Sequence, residues 1–296
     1  MAKQKTKPKY EKYFLKDVTP GSRRPTTWFE DPITIGPQHM KTFDITPGGI
    51  ISAIQKPYMF HAPLHTHLFT EYFFFWGSNP YDMKQFDGEA HYTFGPEGEK
   101  HIIKEPTIVV AAPGVYHCPL NYVKVDKPFY CMEVFITKGY SGVDFGEDLQ
   151  TIRVTEPSYD RYFTNSIVKR NKWGEEGIEL ASVPAHTIPP NSKINVAITA
   201  VKSPHLLRET THKHTTNEYF YFWGSNPYDM KEFDAEIEFY FGEEQEKHVI
   251  KEPTIVVVPP GMYHAPVNFK KVGKPFYYAK ILPVPEYSST DLKPKK

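Results

Sequence analysis

His65, His67, Glu71 and His117 recur in the second half of the chain as His212, His214, Glu218 and His264. The first set lies in HTHLFTEYFFFWGSNPYDMK, which opens at His65, and in PGVYHCPLN, which holds His117. The second lies in HKHTTNEYFYFWGSNPYDMK and PGMYHAPVN. Three imidazoles and a carboxylate form a mixed nitrogen and oxygen ligand set. Such a set leaves positions of an octahedral ion open to water or substrate, and it suits Fe(II), Mn(II), Co(II) or Ni(II). Zinc accepts these ligands too, although structural zinc sites usually use thiolates. The two cysteines, Cys118 and Cys131, stand opposite Ala265 and Tyr278 in the second copy, so thiolate ligation is not expected.

Taken singly, the pieces are ordinary. An HxH pair is easily met among 13 histidines, and PGxxH is a common turn. A glutamate inside an aromatic strand is odder, because an unpaired buried carboxylate is costly. What distinguishes the pattern is its repetition at one spacing. The offset of 147 residues between His65 and His212 also separates Glu71 from Glu218 and His117 from His264. It holds without a gap from Ile50–Phe135 to Ala197–Leu282, and 13 of the 14 residues of Glu71–Lys84 recur in Glu218–Lys231. In a strand alternate side chains share a face, so His65 and His67 project together, and Glu71 has the same parity.

The elements that must position these residues read as strands. IISAIQ, EYFFFWG, HYTFG, TIVVAAPG and KPFYCMEVFI are rich in β-branched and aromatic residues and are punctuated by Gly, Pro, Asn or Asp. Helical periodicity is confined to short stretches near the ends. Eight or nine short strands in each copy point to an all-β sandwich or small barrel. A repeat of this length is a whole domain rather than a solenoid unit. The polar joint GYSGVDFGEDLQTIRVTEPS divides the chain into an N-terminal domain, residues 1–145, and a C-terminal domain, residues 146–296. The lead-ins YEKYF and YDRYF echo each other at a slightly different offset.

Composition limits the classes of function. Lys plus Arg and Asp plus Glu are both 35, giving a net charge of zero and no global field to draw nucleic acid or an anionic membrane. No apolar run approaches a membrane span, and the first residues lack a signal-peptide core. With two cysteines a disulfide framework is not expected, and a cytoplasmic location is the default.

At this point the residues resemble a known family. HTHLFTEYFFFWG with PGVYHCPLN, and HKHTTNEYFYFWG with PGMYHAPVN, look like paired cupin motifs. The chain therefore resembles a bicupin, similar in layout to oxalate decarboxylases and quercetin dioxygenases. The resemblance implies two tandem double-stranded β-helix (jelly-roll) barrels, each with one metal. By motif position the ligands would be His65, His67, Glu71 and His117, then His212, His214, Glu218 and His264. Two divalent transition-metal ions per chain are implied, Mn(II) or Fe(II) first, with Zn, Ni or Co as alternatives. Three residues separate the second His from the Glu, where many bicupins have four, and the lid sequence of an oxalate decarboxylase is not found.

Differences between the copies are the informative positions. Counting back by twos from the first ligand of each set reaches His61 and Arg208. Arg208 could pair with a substrate carboxylate, and His61 could move a proton; the competing reading leaves both in solvent beyond the strand end. Beyond the glutamates the inward parity selects Phe73, Phe75, Phe220 and Phe222 as dry pocket walls or plain core. His91 and Glu238 turn outward by parity. Tyr116 and Tyr263 point into packing, Asn121 and Asn268 orient a turn, and the repeated SNPYDMK has no chemical explanation.

The expected function is a metal-dependent enzyme acting on a small oxygenated carbon compound, a carbonyl, enol or carboxylate. Carbon–carbon bond cleavage of dioxygenase or decarboxylase type is what the resemblance implies. The alternatives are a redox-neutral hydrolase, isomerase or lyase of a dicarbonyl compound, and a non-catalytic bicupin that binds metal and a small molecule. Expected partners are the small-molecule substrate and a second copy in a homodimer or larger homo-oligomer, with neither nucleic acid nor membrane.

Overall fold

The structure is a computed structural model that describes residues 8–16, 18, 33–34, 48–59, 62–135, 143–144, 158–180, 194–284 and 287–293. Each half folds into two facing antiparallel sheets. In the first half one sheet runs Phe163–Asn165, Thr107–Ala111, Glu71–Gly77, Phe129–Phe135, Gly48–Ile54, Ile33–Thr34. The other runs Val143–Asp144, His65–Thr66, His117–Val125, Gly88–Phe94, Glu99–Ile103, with Tyr58–Met59 also on His117–Val125. The second half repeats this plan around Glu218–Gly224 in one sheet and His264–Val272 in the other, with a hairpin, Val168–Arg170 and Glu176–Glu179, added at an edge. Helix among the described residues is limited to two single 3₁₀ turns, Glu11–Tyr13 and Asp160–Tyr162.

The aromatic strand is buried at every position of Glu71–Gly77, and the two faces of the pleat explain why. Phe73 and Phe75 face the interior of their own barrel and pack with Tyr92 and Phe94. Tyr72, Phe74 and Trp76 face the other way, into a core shared with Tyr219, Tyr221 and Trp223. Trp76 and Tyr130 meet Tyr277 across this boundary, with ring centroids 6.1 and 5.3 Å apart. Burying such a side chain contributes about 1.5–3 kcal/mol. The barrels are thus joined by a continuous apolar layer.

Sheet membership crosses the joint in the sequence. Phe14–Leu15 pairs with Thr254–Val258 of the second barrel, and Phe163–Asn165 pairs with Thr107–Ala111 of the first. The echoing lead-ins are reciprocal arms, each seated on the other barrel. Phe14 stacks on His248 at 4.0 Å, and Phe163 stacks on His101 at 4.1 Å. The backbone N–H of Tyr10 donates to Glu246 at 3.0 Å, and that of Tyr159 to Glu99 at 3.2 Å. Gly242 and Gly95 have φ of +79° and +72°, and a Cβ there would meet the rings of Tyr10 and Tyr159 at 2.5 and 2.3 Å. Only glycine fits both the conformation and the contact.

The SNPYDMK repeat has a structural cause. Ser78 donates to the Pro128 carbonyl at 2.7 Å, Asn79 Oδ1 accepts from the Tyr81 N–H at 3.0 Å, and Gly77 N–H donates to Met83 at 3.0 Å. Ser225, Asn226 and Gly224 repeat these bonds. The loops also bridge the halves: Gln55 donates to the Pro227 carbonyl at 2.8 Å, Met83 N–H to Glu176 at 2.6 Å, and Tyr277 to the Ser78 carbonyl at 3.4 Å.

Two candidate metal centres

Each candidate centre lies between the two sheets of its barrel. His65 sits on a two-residue strand directly opposite His117, in a register repeated by His212 and His264. After His67 the chain turns and enters the facing sheet at Glu71. The turn is pinned by the Gly114 N–H, which donates to the His67 carbonyl at 2.9 Å, and by Gly261 to His214 at 2.8 Å. Glutamate and histidines therefore approach each other from opposite sheets.

The rings are fixed from behind. Nδ1 of His65, His117, His212 and His264 contacts the carbonyl two residues upstream, at 2.7, 3.0, 2.9 and 3.3 Å. His214 Nδ1 contacts the Ser288 carbonyl at 2.5 Å. A proton on Nδ1 satisfies each carbonyl and leaves the Nε2 lone pair free to bind a cation. Burial and the neighbouring His117 bring the pKa of His65 down to about 4, and burial with His264 brings His212 down to about 3, so both rings are neutral ligands at pH 7. Burial alone would raise the pKa of Glu71 and Glu218, but contacts with His117 and His67, and with His264 and His214, outweigh it and keep both ionised.

The second centre is compact: one ligand atom from each of His212, His214, Glu218 and His264 lies within 4.8 Å of all the others. Glu218 Oε2 is 2.6 Å from His264 Nε2 and 3.3 Å from His214 Nε2, yet none of these three buried atoms has an aligned hydrogen bond. A buried polar atom left unmade costs about 1–3 kcal/mol. A cation shared by all of them removes that cost, so the residues present fit a divalent ion. The first centre is arranged differently. His67, Glu71 and His117 form one triad of that kind, and His65, His117 and Cys118 form another. Glu71 Oε2 is 3.0 Å from His117 Nε2 and 3.5 Å from His67 Nε2, while Glu71 Oε1 is buried with no partner.

A cavity of about 170 Å³ opens onto the second centre. His212, Glu218 and His264 line it together with Arg208, Phe220, Lys280 and Tyr287. Arg208 donates to the Tyr287 hydroxyl at 2.8 Å and to Ser289 Oγ at 3.3 Å, and Tyr287 Oη lies 3.3 Å from His212 Nε2. Phe220 is thus a pocket wall, whereas Phe222 is buried in the core behind it. Phe73 and Phe75 are packed in the core beside the first centre. His61 lies outside the described residues. His91 and Glu238 face outward, and Tyr116 is buried. Asn121 and Asn268 orient no turn: they sit within strands, opposite His91 and Glu238.

Two residues that line the cavity escaped the sequence reading. Lys280 had a readable signal, since the offset pairs it with Glu133, a reversal of charge beside a constant ligand set. Tyr287 had none, because it reaches the site only through the pairing of Thr290–Asp291 with His212–Lys213. Cys118 was set aside for lacking a cysteine counterpart.

The fold has the bicupin layout: two tandem double-stranded β-helix barrels with a candidate metal site in each. No family model matches the chain, and no curated protein matches it. Among solved structures it is similar to an oxalate decarboxylase from Lactobacillus farciminis in a formate complex, at TM-score 0.61 and 13% identity, covering 94% of this chain and 88% of that one. It is also similar to Bacillus subtilis oxalate decarboxylase at pH 4.6, at TM-score 0.60 and 11% identity over 94% and 78% of the two chains. A further structure of that protein, concerned with its Mn(II) centres, aligns at TM-score 0.57 and 12% identity over 90% and 78%. Identities this low carry the fold alone.

Proposed function

We propose that the chain is a metal-dependent enzyme that cleaves a carbon–carbon bond in a small carboxylate, by decarboxylase- or dioxygenase-type chemistry in the C-terminal barrel. The observation that carries this reading is the cavity in which His212, Glu218 and His264 meet Arg208, Lys280 and Tyr287. A cavity of about 170 Å³, comparable to the roughly 150 Å³ that accommodates a benzene ring, suits a small substrate. Arg208 presents a planar fork suited to one carboxylate, and Lys280 adds a second positive charge. Phe220 excludes water from one side. His212, His214, Glu218 and His264 would hold the ion, which when bound supplies Lewis-acid or redox assistance at a substrate oxygen. Tyr287, between Arg208 and His212, is placed to donate to a substrate oxygen or to shuttle a proton. The solved structures of similar fold include oxalate decarboxylases, which supports the reaction class without choosing the substrate.

The test is release of CO2 and uptake of O2 by Mn- or Fe-loaded protein offered a panel of short mono- and dicarboxylates. Turnover without O2 uptake supports a decarboxylase, and stoichiometric uptake a dioxygenase. Saturable carboxylate binding with no turnover of any panel member would leave the non-catalytic binding protein as the better reading.

A further inference from the structure

The two centres share their motif but not their surroundings. The pivotal position is residue 118 in the first barrel and 265 in the second. Each directly follows a histidine ligand, so regular strand alternation would turn it away from the metal. The strand does not alternate there. Cys118 and Ala265 have φ of 82° and 72°, and the pairing of His117–Val125 with Gly88–Phe94 shifts register between His117 and Leu120. The bulge returns the following side chain to the ligand side. Ala265 consequently lines the cavity of the second centre. In the first centre the same position carries a thiol, whose Sγ lies within 4.8 Å of a nitrogen of both His65 and His117.

We propose that Cys118 is a sulfur ligand of the N-terminal metal, so that one chain holds two chemically different centres. The first is a site of imidazole, carboxylate and sulfur, and the second a site of imidazole and carboxylate that opens onto the cavity. This inference rests on reading both centres as metal sites. A second observation points to a cation here: Glu71 Oε1, in the triad that shares His117 with the Cys118 group, is buried and unpartnered. The charges around the two positions also differ in sign. Glu133 acts on Cys118 in the first barrel, whereas the residue matching it in the second barrel is Lys280. The first site would thus offer a cation more negative charge, while the second keeps positive charge for an anionic substrate. Softer ions, Zn(II), Co(II) or Cu(I), gain most from sulfur. The two centres should therefore discriminate between metals offered together.

Cobalt tests this without reference to catalysis. The full-length protein is loaded with Co(II), the metal counted by elemental analysis, and the near-ultraviolet region examined for sulfur-to-cobalt charge transfer. The expected band is present in the wild type and in His214→Ala, absent in Cys118→Ala, and unchanged in Cys131→Ala. Cys118→Ala installs the residue that the fold already carries at 265, and its circular dichroism and cobalt count report whether the barrel is intact. A wild-type protein with both sites filled and no charge-transfer band overturns the proposal alone. So does a band that survives Cys118→Ala or disappears in Cys131→Ala. A wild type that takes up no cobalt at the first site overturns both the proposal and the two-site reading beneath it.

Discussion

Arg208 is the residue on which the functional reading turns. Its guanidinium is already tethered to Tyr287 and Ser289 at the cavity wall, so it meets a carboxylate with little ordering left to pay for. Arg208→Ala should raise KM for a carboxylate substrate by about 10- to 100-fold, the loss of a charge-assisted bond of about 1.5–3 kcal/mol. Arg208→Lys should recover only part of it, because an ammonium lacks the fork. Steady-state kinetics on the metal-loaded protein checks this, and an unchanged KM in both variants would remove Arg208 from the substrate site. The ligands carry a second prediction: His67→Ala and His214→Ala should each release one ion per chain by elemental analysis. Loss of both ions from either variant would contradict independent centres.

Protonation of the same ligands sets a pH window. His65 and His212 have folded pKa values of about 4 and 3 because burial disfavours their charged forms. The unfolded chain, with histidines near 6.5, binds more protons between those limits. Stability of the metal-free protein should be full above about pH 6.5 and fall as pH drops through 4. His214 acts in the opposite sense: burial lowers it, but Glu218 outweighs this and raises it. Glu71 and Glu218, whose pKa values their histidine neighbours hold down, act in the same sense as His65 and His212, so the acid loss should dominate. Thermal melts of chelator-treated protein from pH 7 to pH 4 measure it, and a melting temperature that rises on acidification would reverse the sign.

Among the elements, the arms have the most specific role. Phe14 occupies the second barrel and packs against Phe239 and Phe241 with ring centroids 5.7 and 5.6 Å apart. Phe14→Ala should cost about 3–5 kcal/mol. The loss should appear in hydrogen exchange of Thr254–Val258, where the arm pairs, before it appears in Thr107–Ala111. Local period and repetition made the strands legible, and the repeat marked the histidines and glutamates that the fold brings together from two sheets. Strand exchange was not legible. YEKYF and YDRYF announced a repeat, but nothing local in either segment states which barrel receives it. The bulge that turns Cys118 and Ala265 toward the site side was not legible either, because strict alternation is a local rule.

At the scale of the whole molecule, the duplicated aromatic strand serves two cores at once, one inside each barrel and one between them. This accounts for burial of all seven residues of Glu71–Gly77 and again of Glu218–Gly224. Metal should stabilise the assembly by mass action, since the ligand clusters exist only when folded. At a free concentration 100 times Kd, each ion adds about 2.7 kcal/mol. Calorimetry with and without chelator should show a higher melting temperature for the loaded protein. Among the described residues no helix is long and apolar enough to cross a membrane.

The reciprocal seating of the arms also bears on how the chain is made. Tyr10 donates to Glu246, 236 positions further on, while Tyr159 reaches back only 60 positions to Glu99. At a synthesis rate of about 5–20 residues per second, the first arm waits roughly 12–47 seconds before its seat leaves the ribosome. The first barrel acquires its borrowed strand much sooner. The first arm therefore docks well after it has emerged. During that interval an exposed Tyr-Phe segment is open to capture by chaperones or by the finished second barrel of a neighbouring chain.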